Sequence, residues 1–163
     1  MKRKTVSFKY TQYDTITELP ERERSLLKAA IASREKAYAP YSNFQVGAAV
    51  LLDSGVVVLG NNQENASYPS GLCAERVAIF SAGANYPEQH VKMIAISASA
   101  KGYEVDRPAA PCGNCRQSIA EYEQRQQKPI QIILQGKNGP VYVCDSIADL
   151  LPLAFNSSFL SDS

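Results

Sequence analysis

The sequence is short of histidine and of net charge. It contains one histidine, no tryptophan and two methionines, and its formal net charge is +1. With His90 alone in Pro87-Glu88-Gln89-His90 and read as a surface-loop residue, a metal site in this chain has to be sulfur-rich. A charge so near zero gives no basic footprint for a long polynucleotide, so no nucleic acid polymer is expected as a partner. No apolar run approaches the roughly 20 residues of a spanning helix, so no membrane partner is expected either. Lys2, Arg3 and Lys4 are not followed by an apolar segment, which argues against a secretory signal and leaves the basic trio as a solvated end. Repeats, low-complexity blocks and internal linkers are also missing.

What is present suits one folded domain: 163 residues, 45% of them hydrophobic, and four cysteines. Without an export signal, cysteines belong to a reducing compartment, where thiols serve metals or catalysis more often than disulfides. Cytoplasmic placement is therefore expected.

Residues 1–16 lack a clear period and read as an extension, partly extended against the body. A helix is predicted to start near Thr17-Glu18-Leu19-Pro20, with Thr17 as a cap, and Leu26, Leu27, Ala30 and Ile31 share one face. Phe44 to Leu52 and Val56 to Gly60 are β-prone runs joined by Asp53-Ser54-Gly55, a hairpin. A second helix is predicted from about Cys73 to Ala84, and a third strand from Val91 to Ala98. A third helix should run from about Cys112 to Gln127, before Pro129. Ile130 to Leu134 and Val141 to Cys144 are joined through Lys137-Asn138-Gly139, too short for a crossover, so they should pair antiparallel. A short helix over Ser146 to Leu151 stops before Pro152, and the tail looks loose beyond Phe159. The expected fold class is a three-layer α/β/α arrangement. One mixed five-stranded sheet, its last two strands antiparallel, is covered by helices on both faces. The domain reading is extension 1–16, catalytic domain 17–155 and tail 156–163.

Chemistry concentrates in Cys73-Ala74-Glu75 and Pro111-Cys112-Gly113-Asn114-Cys115. Cys112 and Cys115 have the C-x-x-C spacing that lets two sulfurs reach one ion, and Cys73 supplies a third ligand from a distant segment. Three protein ligands leave a tetrahedral zinc one open corner, where a water becomes acidic enough to act as a nucleophile near neutral pH. Glu75, two residues after a ligand, is placed to move protons. Both segments lie at predicted helix starts, whose partial positive charge favours thiolate. Three buried thiols or a structural zinc knuckle are the plainer alternatives. Cys144, in an apolar strand, reads as a small buried hydrophobe; as a fourth ligand it would make the site structural.

Five segments in order resemble the small, homotetrameric cytidine deaminases of the zinc-deaminase superfamily. They are Tyr38-Ala39-Pro40-Tyr41-Ser42-Asn43-Phe44-Gln45-Val46-Gly47-Ala48-Ala49, Asn62-Gln63-Glu64-Asn65-Ala66-Ser67-Tyr68-Pro69, Cys73-Ala74-Glu75-Arg76, Ala110-Pro111-Cys112-Gly113-Asn114-Cys115-Arg116-Gln117, and Leu150-Leu151-Pro152 followed by Phe155. Cysteine rather than histidine before Ala74-Glu75, with the short Asn138-Gly139 turn, sets the chain apart from deaminases of polynucleotides. The chain departs from the family in its longer N-terminal extension and in Asp106-Arg107-Pro108-Ala109-Ala110 before Pro111.

The resemblance implies zinc-dependent hydrolytic deamination of cytidine and 2′-deoxycytidine to their uridine counterparts and ammonia. That is attack on a cyclic amidine C–N bond, in pyrimidine salvage. It implies one zinc per subunit on Cys73, Cys112 and Cys115, with Glu75 carrying protons to ring N3 and the leaving amine. Arg76 becomes a hydrogen-bond donor that moderates the thiolate charge; Arg116, which also follows a site residue, is a second candidate donor to the sulfurs, and a surface ion pair is the alternative for each. Asn62 and Glu64 become contacts for the ribose 3′-hydroxyl, against turn chemistry and solvation. Ala74 offers its N–H to the base carbonyl. Phe44, Tyr68 and Phe155 become walls for pyrimidine and sugar, with core packing a strong alternative for Phe44. Phe155 is expected to reach a neighbouring subunit's site in a homotetramer, with Tyr38, Tyr41 and Gly71-Leu72 near its interfaces. Two rivals stay open: a noncatalytic zinc-stabilised binding module, and a deaminase of another small molecule such as free cytosine.

Overall fold

The computed structural model describes residues 1–160. One sheet carries six strands in the order β1-β6-β5-β4-β2-β3: β1 (Thr11–Tyr13), β2 (Phe44–Leu52), β3 (Val57–Asn61), β4 (Val91–Ala100), β5 (Gln131–Gln135) and β6 (Val141–Cys144). Three α-helices, α1 (Glu21–Arg34), α2 (Ala74–Asn85) and α3 (Gly113–Gln126), cover it. β5 and β6 pair antiparallel, as the Asn138-Gly139 turn requires, while β4 and β5 are parallel.

The sheet has six strands where the hydrophobic pattern predicts five. The added strand comes from the extension: Thr11 to Tyr13 pairs antiparallel with Val143 to Val141. It gives β6 a partner for backbone groups that would otherwise face solvent. Tyr10 adds a ring contact to Tyr142 at 4.7 Å between centroids. The first helix also starts later than predicted. Thr17 lies in a 3-10 turn, Ile16–Glu18, and α1 starts only after Pro20, whose carbonyl accepts from the Arg24 N–H at 2.9 Å. The proline ring fixes the backbone angle that separates the two turns. The helix predicted over Ser146 to Leu151 is a 3-10 turn, Ile147–Leu150. In the tail, Ser157–Phe159 forms a further 3-10 turn, and residues 161–163 lie outside the described residues.

Strand alternation divides the core into two layers. Ala49, Leu51, Met93, Ala95, Ile133 and Val143 face α1 with Leu26, Leu27 and Ala30. Val50, Leu52, Ile94, Ile96, Ile132 and Leu134 face the other way, against Ala78 and Ile79 of α2 and Ile119 of α3. The result is the α/β/α sandwich expected from the sequence.

Strand direction brings the ligand segments together. β3 and β4 are both antiparallel to β2, so they run the same way. The segments leaving β3 and β4 lead to α2 and α3, whose N-termini therefore start at one edge of the sheet, outside strand carboxyl ends. Gly60 lets α2 lie close: a Cβ there would sit 2.5 Å from the Ala74 carbonyl oxygen and the Ala78 nitrogen. Gly60→Ala is thus expected to displace the helix start that carries Cys73 and Glu75. A loss of about 1–3 kcal/mol in thermal or denaturant unfolding checks this.

Candidate metal centre

Cys73 is the residue immediately before α2 and Cys112 the one immediately before α3, both with extended backbone, while Cys115 lies in the first turn of α3. Their three sulfurs lie within 4.8 Å of one another, and the Cys112 and Cys115 Sγ atoms are 3.5 Å apart. Zn–S bonds of about 2.3 Å in a tetrahedron place sulfurs about 3.8 Å apart, so this donor set fits zinc. Cys115 is buried, Cys73 half-buried and Cys112 exposed, which makes the cluster a floor open on one side. Cys144 belongs to the apolar core on β6 and lies outside this sulfur group.

The sulfurs are unequal electrostatically. A hydrogen bond from the Cys115 thiol, and then the Arg76 guanidinium, bring Cys73 down to about 5 against the burial that opposes them. Cys115 keeps its proton correspondingly harder, because of that bond, its burial and the nearby Glu75 charge. Metal binding must displace this proton, so zinc uptake releases acid. Arg76 Nη2 lies 3.8 Å from Cys73 Sγ, on the thiolate that gains most from a cation. Arg116 reaches the ligands through backbone instead: its Nε donates to the Pro111 carbonyl at 2.7 Å and its Nη1 to the Leu150 carbonyl at 2.6 Å. It thereby fastens the loop before Cys112 to the C-terminal segment.

Glu75 is 5% exposed. Burial lifts its carboxyl above the ordinary glutamate range, and the Cys73 charge adds to the lift against its own backbone N–H. A carboxyl moved toward neutrality can both take and return a proton. Ala74, fully buried, opens the same helical turn.

A cleft of about 450 Å³ reaches the sulfur cluster at Cys73; Asn62, Glu64, Tyr68 and Arg76 line it with that residue. Asn62 is tied to the start of β2: its Oδ1 accepts from the Val46 N–H at 2.8 Å and its Nδ2 donates to the Phe44 carbonyl at 2.9 Å. One amide hydrogen remains for a ligand. The Glu64 carboxyl lies below its ordinary value; desolvation opposes this, and bonds from the Ser42 hydroxyl and the Tyr41 and Ser42 N–H groups prevail. Tyr68 is 75% exposed and tilts against Tyr41, ring centroids 6.0 Å apart.

Two sequence-predicted walls lie outside that cleft in the single chain. Phe44, half-buried, lines a different cavity with Tyr103 to Ala109. Phe155 is exposed, stacks on Phe159 at 5.6 Å and lies against α3, where Gln117 Nε2 donates to its carbonyl at 3.0 Å. The sequence reading missed the part played by Tyr41 and Ser42 in holding Glu64. The turn signal Pro40-Tyr41-Ser42-Asn43 was its available trace.

Comparison with known proteins agrees with this geometry. A family profile described as the cytidine and deoxycytidylate deaminase zinc-binding region matches residues 20–128. A cytidine deaminase of Halalkalibacterium halodurans is 43% identical over 137 residues, covering 84% of this chain and 96% of the relative. One from Sporosarcina psychrophila is 38% identical over 136 residues, covering 83% and 93%. Among solved structures, a cytidine deaminase from Burkholderia pseudomallei is 44% identical with a TM-score of 0.69, covering 80% of this chain and 97% of that one. A Mycobacterium tuberculosis cytidine deaminase is 32% identical with a TM-score of 0.62, covering 81% and 95%.

Proposed function

The chain belongs to the zinc-binding cytidine and deoxycytidylate deaminase family, and from that premise we propose that it hydrolyses cytidine and 2′-deoxycytidine to uridine and 2′-deoxyuridine with release of ammonia. The observation that carries this reading is the meeting of three cysteine sulfurs beside a buried glutamate at the end of a nucleoside-sized cleft. Zinc, held by Cys73, Cys112 and Cys115, supplies the Lewis acidity that makes water a nucleophile near neutral pH.

The chain's own residues do the rest. Glu75 accepts the proton of the attacking water and passes it to ring N3 as oxygen joins C4. It then takes the remaining proton from the new C4 hydroxyl and gives it to the amino nitrogen; the C4–N bond breaks, and the C4 carbonyl forms as ammonia leaves. Arg76, beside Cys73, offsets the surplus charge of three thiolates around a dication. Arg116 holds the Cys112 loop in place. The Ala74 N–H faces the base carbonyl, and Asn62 and Glu64 bracket the 3′-hydroxyl. Tyr68 supplies an apolar wall of the cleft. Residues 17–155 form the catalytic unit, flanked by the extension 1–16 and the tail 156–163.

The reading extends to a cytoplasmic enzyme of pyrimidine salvage that works as a homotetramer with sites shared between subunits. Support comes from Phe155, which is 56% exposed and lies away from its own chain's cleft, and from the exposed Tyr38 and Tyr41. Four free cysteines suit a reducing compartment.

Steady-state kinetics on cytidine and free cytosine test the substrate class. A site built to hydrogen-bond a sugar hydroxyl should favour cytidine in kcat/KM by a factor on the order of 10² or more. Equal turnover of the two would remove the sugar assignment of Asn62 and Glu64.

A further inference from the structure

We propose that Ser42 is a positioning residue, which holds the Glu64 carboxylate in the single orientation that receives the sugar hydroxyl; this rests on the reading of Glu64 as a sugar contact. The Ser42 hydroxyl donates to Glu64 Oε1. The N–H groups of Tyr41 and Ser42 donate to Oε2 at 2.8 and 3.2 Å. A carboxylate offers about four acceptor positions. Three are taken by this one turn, and the remaining capacity is left to a ligand in the cleft that Ser42 and Glu64 both line.

The turn is built to stay in place. Asn43 adopts φ 56°, a left-handed conformation that asparagine tolerates, and its N–H donates to the Ala39 carbonyl at 3.1 Å. Its carbonyl accepts from Lys101 at 2.9 Å. The Ser42 oxygen also accepts from the Phe44 N–H at 2.9 Å, which joins the carboxylate to the first residue of β2. From the other side, the Glu64 N–H donates to the Tyr38 carbonyl at 2.9 Å, and the Asn62 side chain grips Phe44 and Val46. The two sugar contacts thus hang on the same strand start, and Ser42 is the side chain that orients the charged one. Without it only the two backbone N–H bonds to Oε2 hold Glu64, Oε1 is free to swing, and a nucleoside would have to order it on binding.

The test is kinetic, on the zinc-loaded full chain, with cytidine and 3′-deoxycytidine. Ser42→Ala should raise KM for cytidine by about 5- to 20-fold, the scale of one charge-assisted hydrogen bond, with kcat within about twofold. It should leave KM for 3′-deoxycytidine unchanged, and Ser42→Thr, which keeps the hydroxyl, should restore the cytidine value. Glu64→Ala is measured beside it, together with zinc content and Tm for every variant. Equal loss on both substrates, failure of Ser42→Thr to restore the cytidine KM, or an unaltered Ser42→Ala beside a defective Glu64→Ala, overturns the positioning role. An unaltered Glu64→Ala overturns the sugar reading itself, and the role of Ser42 with it.

Discussion

Glu75→Gln is expected to retain zinc and fold while kcat for cytidine falls by at least about 10²- to 10⁴-fold, the range for one general acid–base group. The loss should reach or pass the upper end, because the same carboxylate serves the proton transfers at N3 and at the departing amine. Glutamine matches glutamate in size and can donate or accept a hydrogen bond, but it cannot carry a proton across. The fold should not suffer. Glu75 is buried where a charge is disfavoured, and a neutral side chain of the same shape relieves that cost. KM should change far less than kcat, since the transfers occur only as the reaction proceeds. Metal content by mass spectrometry and turnover by loss of cytidine absorbance check both halves. Near wild-type turnover in a zinc-replete Glu75→Gln protein would refute the mechanism, and zinc loss would make Glu75 a ligand.

The second large effect concerns the sulfurs. Cys112→Ser or Cys115→Ala should strip the protein of zinc at modest chelator concentration and take activity below detection. The site depends on three thiolates, and structural zinc sites bind with an apparent 10–16 kcal/mol or so, most of it from their ligands. Because the ion binds the folded chain and not the unfolded one, zinc removal should also lower Tm. Cys144→Ala is the control. Cys144 packs with Ile132 and Ile147 in the core, away from the other three sulfurs. Its truncation should cost about 1–2 kcal/mol of stability through the cavity it leaves, with zinc content and kcat preserved.

The metal centre was legible in the sequence because its geometry is local. Two thiolates three residues apart at a helix start face one point whatever the rest of the chain does. Cys73 is joined to them by its own predicted helix start, by Glu75 beside it and by the family resemblance; the shared direction of β3 and β4 explains why the two helix starts meet. The hairpin of β2 and β3 was equally plain from Asp53-Ser54-Gly55 between apolar runs. Strand β1 was not: Thr11, Gln12 and Tyr13 are exposed or half-buried, and they join the sheet through backbone bonds that leave no apolar pattern. The ties of Arg116 to carbonyls of Pro111 and Leu150, and of Asn62 to β2, escaped for a related reason. A side chain that bonds a distant backbone group has a partner of no particular residue type, so composition does not betray it. Ser42 escaped for a different reason: its partner is a side chain, Glu64, that stands 22 residues away, and only the folded turn brings the two together.

Zinc-edge X-ray absorption on the purified holoprotein addresses the centre most directly. The expected coordination is three sulfurs at about 2.3 Å and one light atom at about 2.0 Å, with that light atom exchangeable for an inhibitor. Four sulfurs, or a shell without sulfur, would contradict a catalytic ion held by Cys73, Cys112 and Cys115 before Glu75.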